Sequence, residues 1–306
     1  MIVRWPLVAV FALLPVPAAR LAAQDVLAAQ DAGPVDVISI AADANARMTV
    51  AVRIAEQGPF RFMIDTGSQN TVLSTDLAAR LALKPDRTAR LIGVAGVQTV
   101  GMVLIDQLDL GRRSYYSLLA PLLQRVDIGS DGILGLDSLQ GQRVQLDFRK
   151  NEIEVDDAKA LGGNRGYEIV VTARRRSGQL IMTNALIDGV KVQVVIDTGS
   201  EYSVGNRALE RALSRQGGRG TMVLHSVTGQ DITADVGLAR NLKIEQMNFG
   251  NVVIAYADAP PFKALQLDAK PALFLGMRDM RSLDRIAIDF STRRIYFDLP
   301  QNALRN

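Results

Sequence analysis

The sequence has no cysteine, so disulfides, thiolate nucleophiles and thiolate metal sites are excluded. Its single histidine, His225, has no thiol or imidazole partner with which to build a metal site. Asp127, Asp131 and Asp137 cluster near a Gly-rich turn but lack the Asp-x-Asp-x-Asp-Gly spacing of a calcium loop. No metal and no cofactor is expected. The single tryptophan, Trp5, lies in the N-terminal leader. There is no Lys/Arg cluster with interleaved aromatics, and 35 basic residues nearly balance 32 acidic ones, so nucleic acid is not an expected partner. Beyond the leader no run is long and apolar enough to cross a bilayer.

Within 306 residues, 48% are hydrophobic, enough for one large domain or two modest ones. Met1-Ile2-Val3-Arg4 is a short basic start, Trp5 to Val16 is apolar, and Pro17 to Gln24 offers small-residue cleavage sites. This is the pattern of a secretory signal peptide over residues 1–23, with an uncleaved anchor as the alternative. A periplasmic or secreted protein is expected, with no stable membrane insertion once the signal is removed. Residues 24–34 read as an irregular tail.

One stretch occurs twice. Phe62-Met63-Ile64-Asp65-Thr66-Gly67-Ser68 is followed by Thr71-Val72-Leu73-Ser74, and Val194-Val195-Ile196-Asp197-Thr198-Gly199-Ser200 by Tyr202-Ser203-Val204. Each copy sends a carboxylate from the end of an apolar strand straight into a Gly-containing turn. The surrounding sequence repeats in the same order. Asp65 and Asp197 stand 132 residues apart, Gly96 and Gly229 133, Gly135 and Gly276 141, and Phe148 and Phe290 142. A drift in one direction is what loop insertions in a duplicated fold produce, and two units of this size do not make a solenoid. The halves are residues 35–155 and 167–306, joined by the polar, Gly-rich linker 156–166.

The alternating apolar pattern predicts strands through most of both halves. Gly58-Pro59 marks a turn, Ser74 or Thr75 caps a short helix, Asp188-Gly189 signals a two-residue hairpin, and Asn206 to Leu213 reads as a helix. Met182-Thr183 stands where Met48-Thr49 stood, Arg174-Arg175-Arg176 reads as an exposed turn, and His225 as part of a solvated strand.

Two Asp-Thr-Gly-Ser motifs, each followed later by two hydrophobic residues and a glycine (Ile133-Leu134-Gly135 and Phe274-Leu275-Gly276), resemble the aspartic proteases. More specifically, the pattern resembles a bacterial retropepsin-like protein with both halves on one chain, and the resemblance runs from about residue 35 to residue 300. It implies a mostly β fold of two pseudo-symmetric barrel-like lobes with a few short helices. It also implies an endopeptidase acting on extended polypeptides, with Asp65 and Asp197 as the catalytic pair. Two carboxylates in contact cannot both ionise, so the pair holds one proton and supplies a base to water and an acid to the departing group. Gly67 and Gly199 permit close approach of the turns. By resemblance Thr66 and Thr198 bond across the axis. Ser68 and Ser200 can donate to the carboxylates and favour their ionised form, which places the working range in acid. The hairpins Val94-Ala95-Gly96-Val97 and Val227-Thr228-Gly229-Gln230 occupy the family's flap position, 31 and 32 residues after their aspartates. Neither carries the flap tyrosine of pepsin-like enzymes, which favours a retropepsin-like pair of flaps. Two rivals stay open: a catalytically silent peptide-binding protein on the same fold, and lobes that each dimerise with another chain. Matched lobes on a short linker favour a monomer with pairing inside the chain.

Overall fold

The computed structural model describes residues 48–111, 113–213 and 220–300, with three two-residue strands at Pro6–Leu7, Ile38–Ser39 and Ala41–Ala42. The signal peptide and the tail 24–34 otherwise lie outside the described residues. Pro6–Leu7 runs parallel to His225 and Ser226.

The molecule is mostly β. Its strands follow the two-residue period of half-buried sheet: in Gln57–Ile64, Phe60 and Phe62 are buried and Arg61 between them is exposed. Met63 and Ile64 are then buried on both faces, as the strand enters the centre of the molecule. In the first lobe the strands Met48–Ile54, Gln57–Ile64, Gly132–Leu134, Val72–Ser74, Arg113–Leu123 and Gly96–Leu110 pair in that order, and the last returns to the first to close a ring. The second lobe repeats it with Gln179–Ile187, Val190–Ile196, Ala272–Leu275, Ser203–Gly205, Met247–Tyr256 and Asp231–Ile244. Closure leaves these strands no free edges.

A third sheet joins the lobes. Arg143–Asp147 lies antiparallel to Arg285–Asp289, with Arg143 opposite Asp289 and Asp147 opposite Arg285. Glu152–Asp156 and then Ile38–Ser39 extend one side; Arg294–Asp298 and then Ile169–Thr172 extend the other. One apolar core runs through both lobes, including Phe62, Leu134, Val144, Leu146, Val194, Leu275, Ile286 and Ile288. Fixed relative placement of the two barrels follows from this shared sheet and core.

At the seam, the fully buried Arg143 guanidinium bonds the buried Asp289 carboxylate at 3.0 Å and Asn164 Oδ1 at 2.8 Å, and stacks on Tyr296 at 4.4 Å. It also donates to the Gly163 carbonyl in the segment between the lobes. Burial would push Asp289 up, but the Ser291 hydroxyl, the Thr292 N–H and Arg143 outweigh it and hold the carboxyl low. Arg143→Ala leaves that charge buried and unpaired, so chemical denaturation should show a loss of about 3–5 kcal/mol at neutral pH. Because the Asp289 pKa is depressed, its contribution is present above the ordinary carboxylate range and fades as pH falls through the folded value.

Several local expectations shift. The turn falls at Ala55-Glu56, both at positive φ, and Gly58-Pro59 sits within the next strand. Ile54 pairs with Gln57 across it, so two residues close the hairpin before the Gly-Pro pair is reached. Arg174–Arg176 is an exposed strand paired with Gln179–Ile181, not a turn. Thr49 pairs with Met63 and Ile181 with Val195, so Ile181, not Thr183, is the counterpart of Thr49. A bulge between Met182 and Ala185 lies beyond this pair and adds one further residue. Asp188-Gly189 does form the two-residue hairpin, both residues at positive φ. Ser74 and Asn206 cap their helices, accepting from the Leu77 and Leu209 N–H groups.

Candidate active site

Asp65 and Asp197 end matching strands at the centre of the molecule. Each strand lies parallel to its lobe's hydrophobic-hydrophobic-Gly segment, with Ile64 beside Leu134 and Ile196 beside Leu275. The Asp65 N–H donates to the Leu134 carbonyl and the Asp197 N–H to that of Leu275, both at 3.0 Å. The chain then crosses under the turn, where Leu136 N–H donates to Ser68 O and Met277 N–H to Ser200 O. A methyl at Gly135 would lie 2.3 Å from the Asn70 carbonyl carbon, and one at Gly276 2.6 Å from that of Tyr202, which is why glycine closes each segment.

The threonines lock the two turns reciprocally. Thr66 N–H donates to Thr198 Oγ1 at 3.0 Å and Thr66 Oγ1 to Ile196 O at 2.9 Å. Thr198 N–H donates to Thr66 Oγ1 at 3.3 Å and Thr198 Oγ1 to Ile64 O at 2.9 Å. A Cβ on Gly67 would stand 2.7 Å from Asp197 Oδ1 and 3.0 Å from Asp65 Oδ1, so only glycine fits between the carboxyls.

The serines act differently from expectation. Ser68 Oγ donates to the Asn70 carbonyl at 2.8 Å and Ser200 Oγ to that of Tyr202 at 2.7 Å. A local carbonyl two residues on is within easy reach of a turn hydroxyl and takes the bond. The carboxyls are served by backbone instead: Gly67 N–H donates to Asp65 Oδ1 at 2.7 Å and Gly199 N–H to Asp197 Oδ1 at 3.1 Å.

Both carboxyls are buried, Asp65 at 0% and Asp197 at 3% exposure. Burial, and then repulsion from Asp197, push Asp65 well above the usual range against the pull of the Gly67 and Ser68 amides. Burial raises Asp197 to about 7, opposed first by the Gly199 amide. Asp65 Oδ2 has no hydrogen-bond partner among the described residues. Such a pair stays singly charged up to higher pH than the serine-based expectation allowed.

A layer beneath the turns went unread in the sequence. Asp137 accepts from Thr71 N–H at 2.9 Å and Thr71 Oγ1 at 2.7 Å, and that hydroxyl accepts from Gly135 N–H. In the second lobe Asp279 and Ser203 stand in the same relation, with Gly276 N–H donating to Ser203 Oγ. The signal was available: each acid follows its Leu-Gly closely, and each hydroxyl follows its motif aspartate by six residues. Gln179 was also missed. Its side chain is 1% exposed, and Nε2 donates to the Gly67 carbonyl across the lobe boundary at 2.8 Å.

Both expected hairpins are present, Arg87–Gly93 with Gly96–Leu110 and Thr221–Ser226 with Asp231–Ile244. Their tips cross. Val94 of the first lobe is buried with Ile181, Val195, Leu224 and Phe274 of the second, and Val227 of the second with Met63, Val72, Leu91 and Ile133 of the first. A methyl at Gly93 would sit 2.6 Å from Ser226 Oγ, and one at Gly96 2.7 Å from Gln230 Oε1. Ala95 is partly buried against the Val94 cluster, while Val97 is exposed. Thr228 is buried, its hydroxyl bonded to that of Ser226. His225 pairs with Asp231 and is half-buried, so its strand is less solvated than expected.

The sequence profile of the aspartyl protease family matches residues 50–138 and 183–278, more than half of the chain, with one aspartate turn inside each match. No curated protein matches the chain. Two profile matches, one per barrel, on a retropepsin-like pair of lobes show that the chain belongs to the aspartyl protease family.

Proposed function

We propose that the protein is an aspartic endopeptidase that hydrolyses internal bonds of extended polypeptides at one composite site. The observation that carries this reading is the pair of buried carboxyls, Asp65 and Asp197, whose titrations are both raised and whose turns are locked by Thr66 and Thr198. The ionised member takes a proton from water as the oxygen attacks the scissile carbonyl carbon. The protonated member donates to the carbonyl oxygen, and the tetrahedral intermediate collapses as a proton passes to the departing amine. The roles belong to the pair, and neither aspartate holds one permanently.

The two hairpins supply the lid. Their tips withdraw from the opposite lobe to admit an extended peptide, whose backbone adds to them as a strand. The shared central sheet favours a monomer in which both halves of the site come from one chain. The leader sequence supports action outside the cytoplasm. Mature protein incubated with a diverse peptide library should cleave internal bonds, and a statine-type inhibitor should stop it. Cleavage that survives Asp65→Asn and requires a metal would overturn the assignment.

The pH dependence follows from the raised pair. The working state carries one charge, so activity should rise as the first proton leaves, at about 7 for Asp197. It should fall off only as Asp65, held above the usual range by burial and by the Asp197 charge, loses the second proton. A profile of kcat/KM against pH checks this; a rate that keeps climbing into alkali contradicts it.

A further inference from the structure

An open cavity of about 380 Å³ lies across the lobe boundary beside the catalytic turn of the first lobe. Gln69 and Asn70, which directly follow Ser68, line it with Leu136 from one side, and Arg175, Ser177 and Gly178 from the other. Bonds across the boundary hold its rim: Gln69 Nε2 donates to Ser177 O at 3.2 Å and Gln140 Nε2 to Gly178 O at 3.4 Å. Donors are left over. Among the described residues the Asn70 side-chain amide and the Ser177 hydroxyl have no partner, and the Arg175 guanidinium gives one of its five N–H groups, to Gln140 Oε1. Among the described residues no acid pairs with Arg174, Arg175 or Arg176; Arg176 donates to the Leu265 and Gln266 carbonyls at 2.8 and 3.1 Å. Asp137 also lines the cavity, but its carboxyl accepts from Thr71 and from the Ser138 N–H and is thereby turned into the first lobe.

A guanidinium, an amide and a hydroxyl lining one cavity suit a carboxylate, which takes paired N–H donors from arginine and further bonds from neutral groups. Gln69 follows Asp65 by four residues, so their Cα atoms are at most about 14 Å apart, the reach of about four residues of an extended substrate. From this arrangement we infer that the cavity is a subsite for an acidic side chain, and that the protein prefers peptides with glutamate or aspartate a few residues from the scissile bond. The inference rests on the peptidase reading and names a substrate class for it. The preference is one-sided. In the second lobe Glu201 holds the position of Gln69, four residues after Asp197, and pairs with Arg281 at 3.0 Å. The arm of the substrate on that side meets an ion pair instead of open donors. Above about 7, where Asp197 is ionised, a substrate carboxyl is fully charged.

A panel of extended peptides in which one position at a time is Glu, Gln or Lys tests this. Wild-type protein should favour Glu over Gln at one or two adjacent positions, on one side of the cleaved bond, by roughly three- to thirtyfold in kcat/KM. The effect should lie mainly in KM, the scale of an exposed charge-assisted hydrogen bond, and should shrink as salt is raised. Arg175→Gln should bring the Glu-to-Gln ratio near one. Arg175→Glu should invert the preference toward Lys at the same position, which a mere loss of stability cannot do. The same peptides titrated calorimetrically into the full chain carrying Asp65→Asn read the subsite without cleavage. If wild-type protein cleaves nothing while the Asp65→Asn chain still binds the Glu peptide more tightly, and Arg175→Gln removes the difference, the subsite stands and the peptidase reading falls. Equal rates and equal affinities for Glu and Gln at every position of the wild-type comparison, which needs no variant at Arg175 to fold, would overturn the inference. So would a Glu preference that survives Arg175→Gln.

Discussion

Asp65→Asn, Asp197→Asn and the double variant should be almost equally inactive, each down by on the order of 10⁴-fold or more. A lone carboxyl cannot be acid and base in the same step, so removing the second costs little once the first is gone. The reciprocal threonine bonds place both aspartates at one centre in one chain. Mixing the two single variants should therefore restore nothing, and specific activity should hold on dilution. If each lobe paired with its own kind in a dimer, Asp65→Asn would leave an intact Asp197 pair and much of the rate. Substantial activity in both single variants would refute the composite site.

The same variants carry a second signature of opposite sign. Both carboxyls titrate above their unfolded values, so the native state binds protons more tightly than the unfolded chain. Stability then falls as pH rises from the unfolded carboxylate range through the folded one. An asparagine has no proton to lose and escapes that fall. The inactive variants should have higher Tm than wild type near neutral pH, with the difference vanishing in acid. A variant destabilised equally at all pH would indicate that the turn had been damaged rather than neutralised.

The site was legible because duplication turns a weak motif into a strong one. A single Asp-Thr-Gly describes many turns, but the second copy, with its later Leu-Gly, fixed the lobes and the pair of aspartates together. What escaped were choices between partners of similar chemistry. Ser68 could bond its neighbour's carbonyl or the carboxylate, and the difference is one rotamer that no spacing encodes. Gln179 stands at the head of the apolar run Leu180-Ile181-Met182, where its polarity is visible but its partner, 112 positions away, is not. The equivalence of Met182 with Met48 failed because a shared Met-Thr pair does not fix register: Met182 pairs with Val194 as Val50 pairs with Phe62, two positions on from Met48. Val94 and Val227 read as small apolar tips in either arrangement; only the assembled lobes show that each is buried in the other half.

That crossing gives the last prediction. Gly93 and Ser226 face each other where the two tips meet, close enough that a Cβ on Gly93 would lie 2.6 Å from Ser226 Oγ. Disulfide geometry needs close Cβ atoms, and a Cβ at Gly93 lies within bonding reach of the Ser226 side-chain terminus. The chain has no cysteine of its own, so Gly93→Cys with Ser226→Cys introduces a single possible bond. Oxidised, the two hairpins are joined across the face of the site, and neither valine can leave the opposite lobe without its partner. An extended peptide has no route to the carboxyls, and cleavage should fall by on the order of a hundredfold or more, since lid opening is required for every turnover. Reduction should return activity to that of the unlinked double variant, which separates locking from any cost of the substitutions. Hydrogen exchange offers a check that needs no substrate: oxidation should slow exchange of tip amides in both hairpins together. Full activity in the oxidised, cross-linked protein would show that substrate reaches Asp65 and Asp197 by another path.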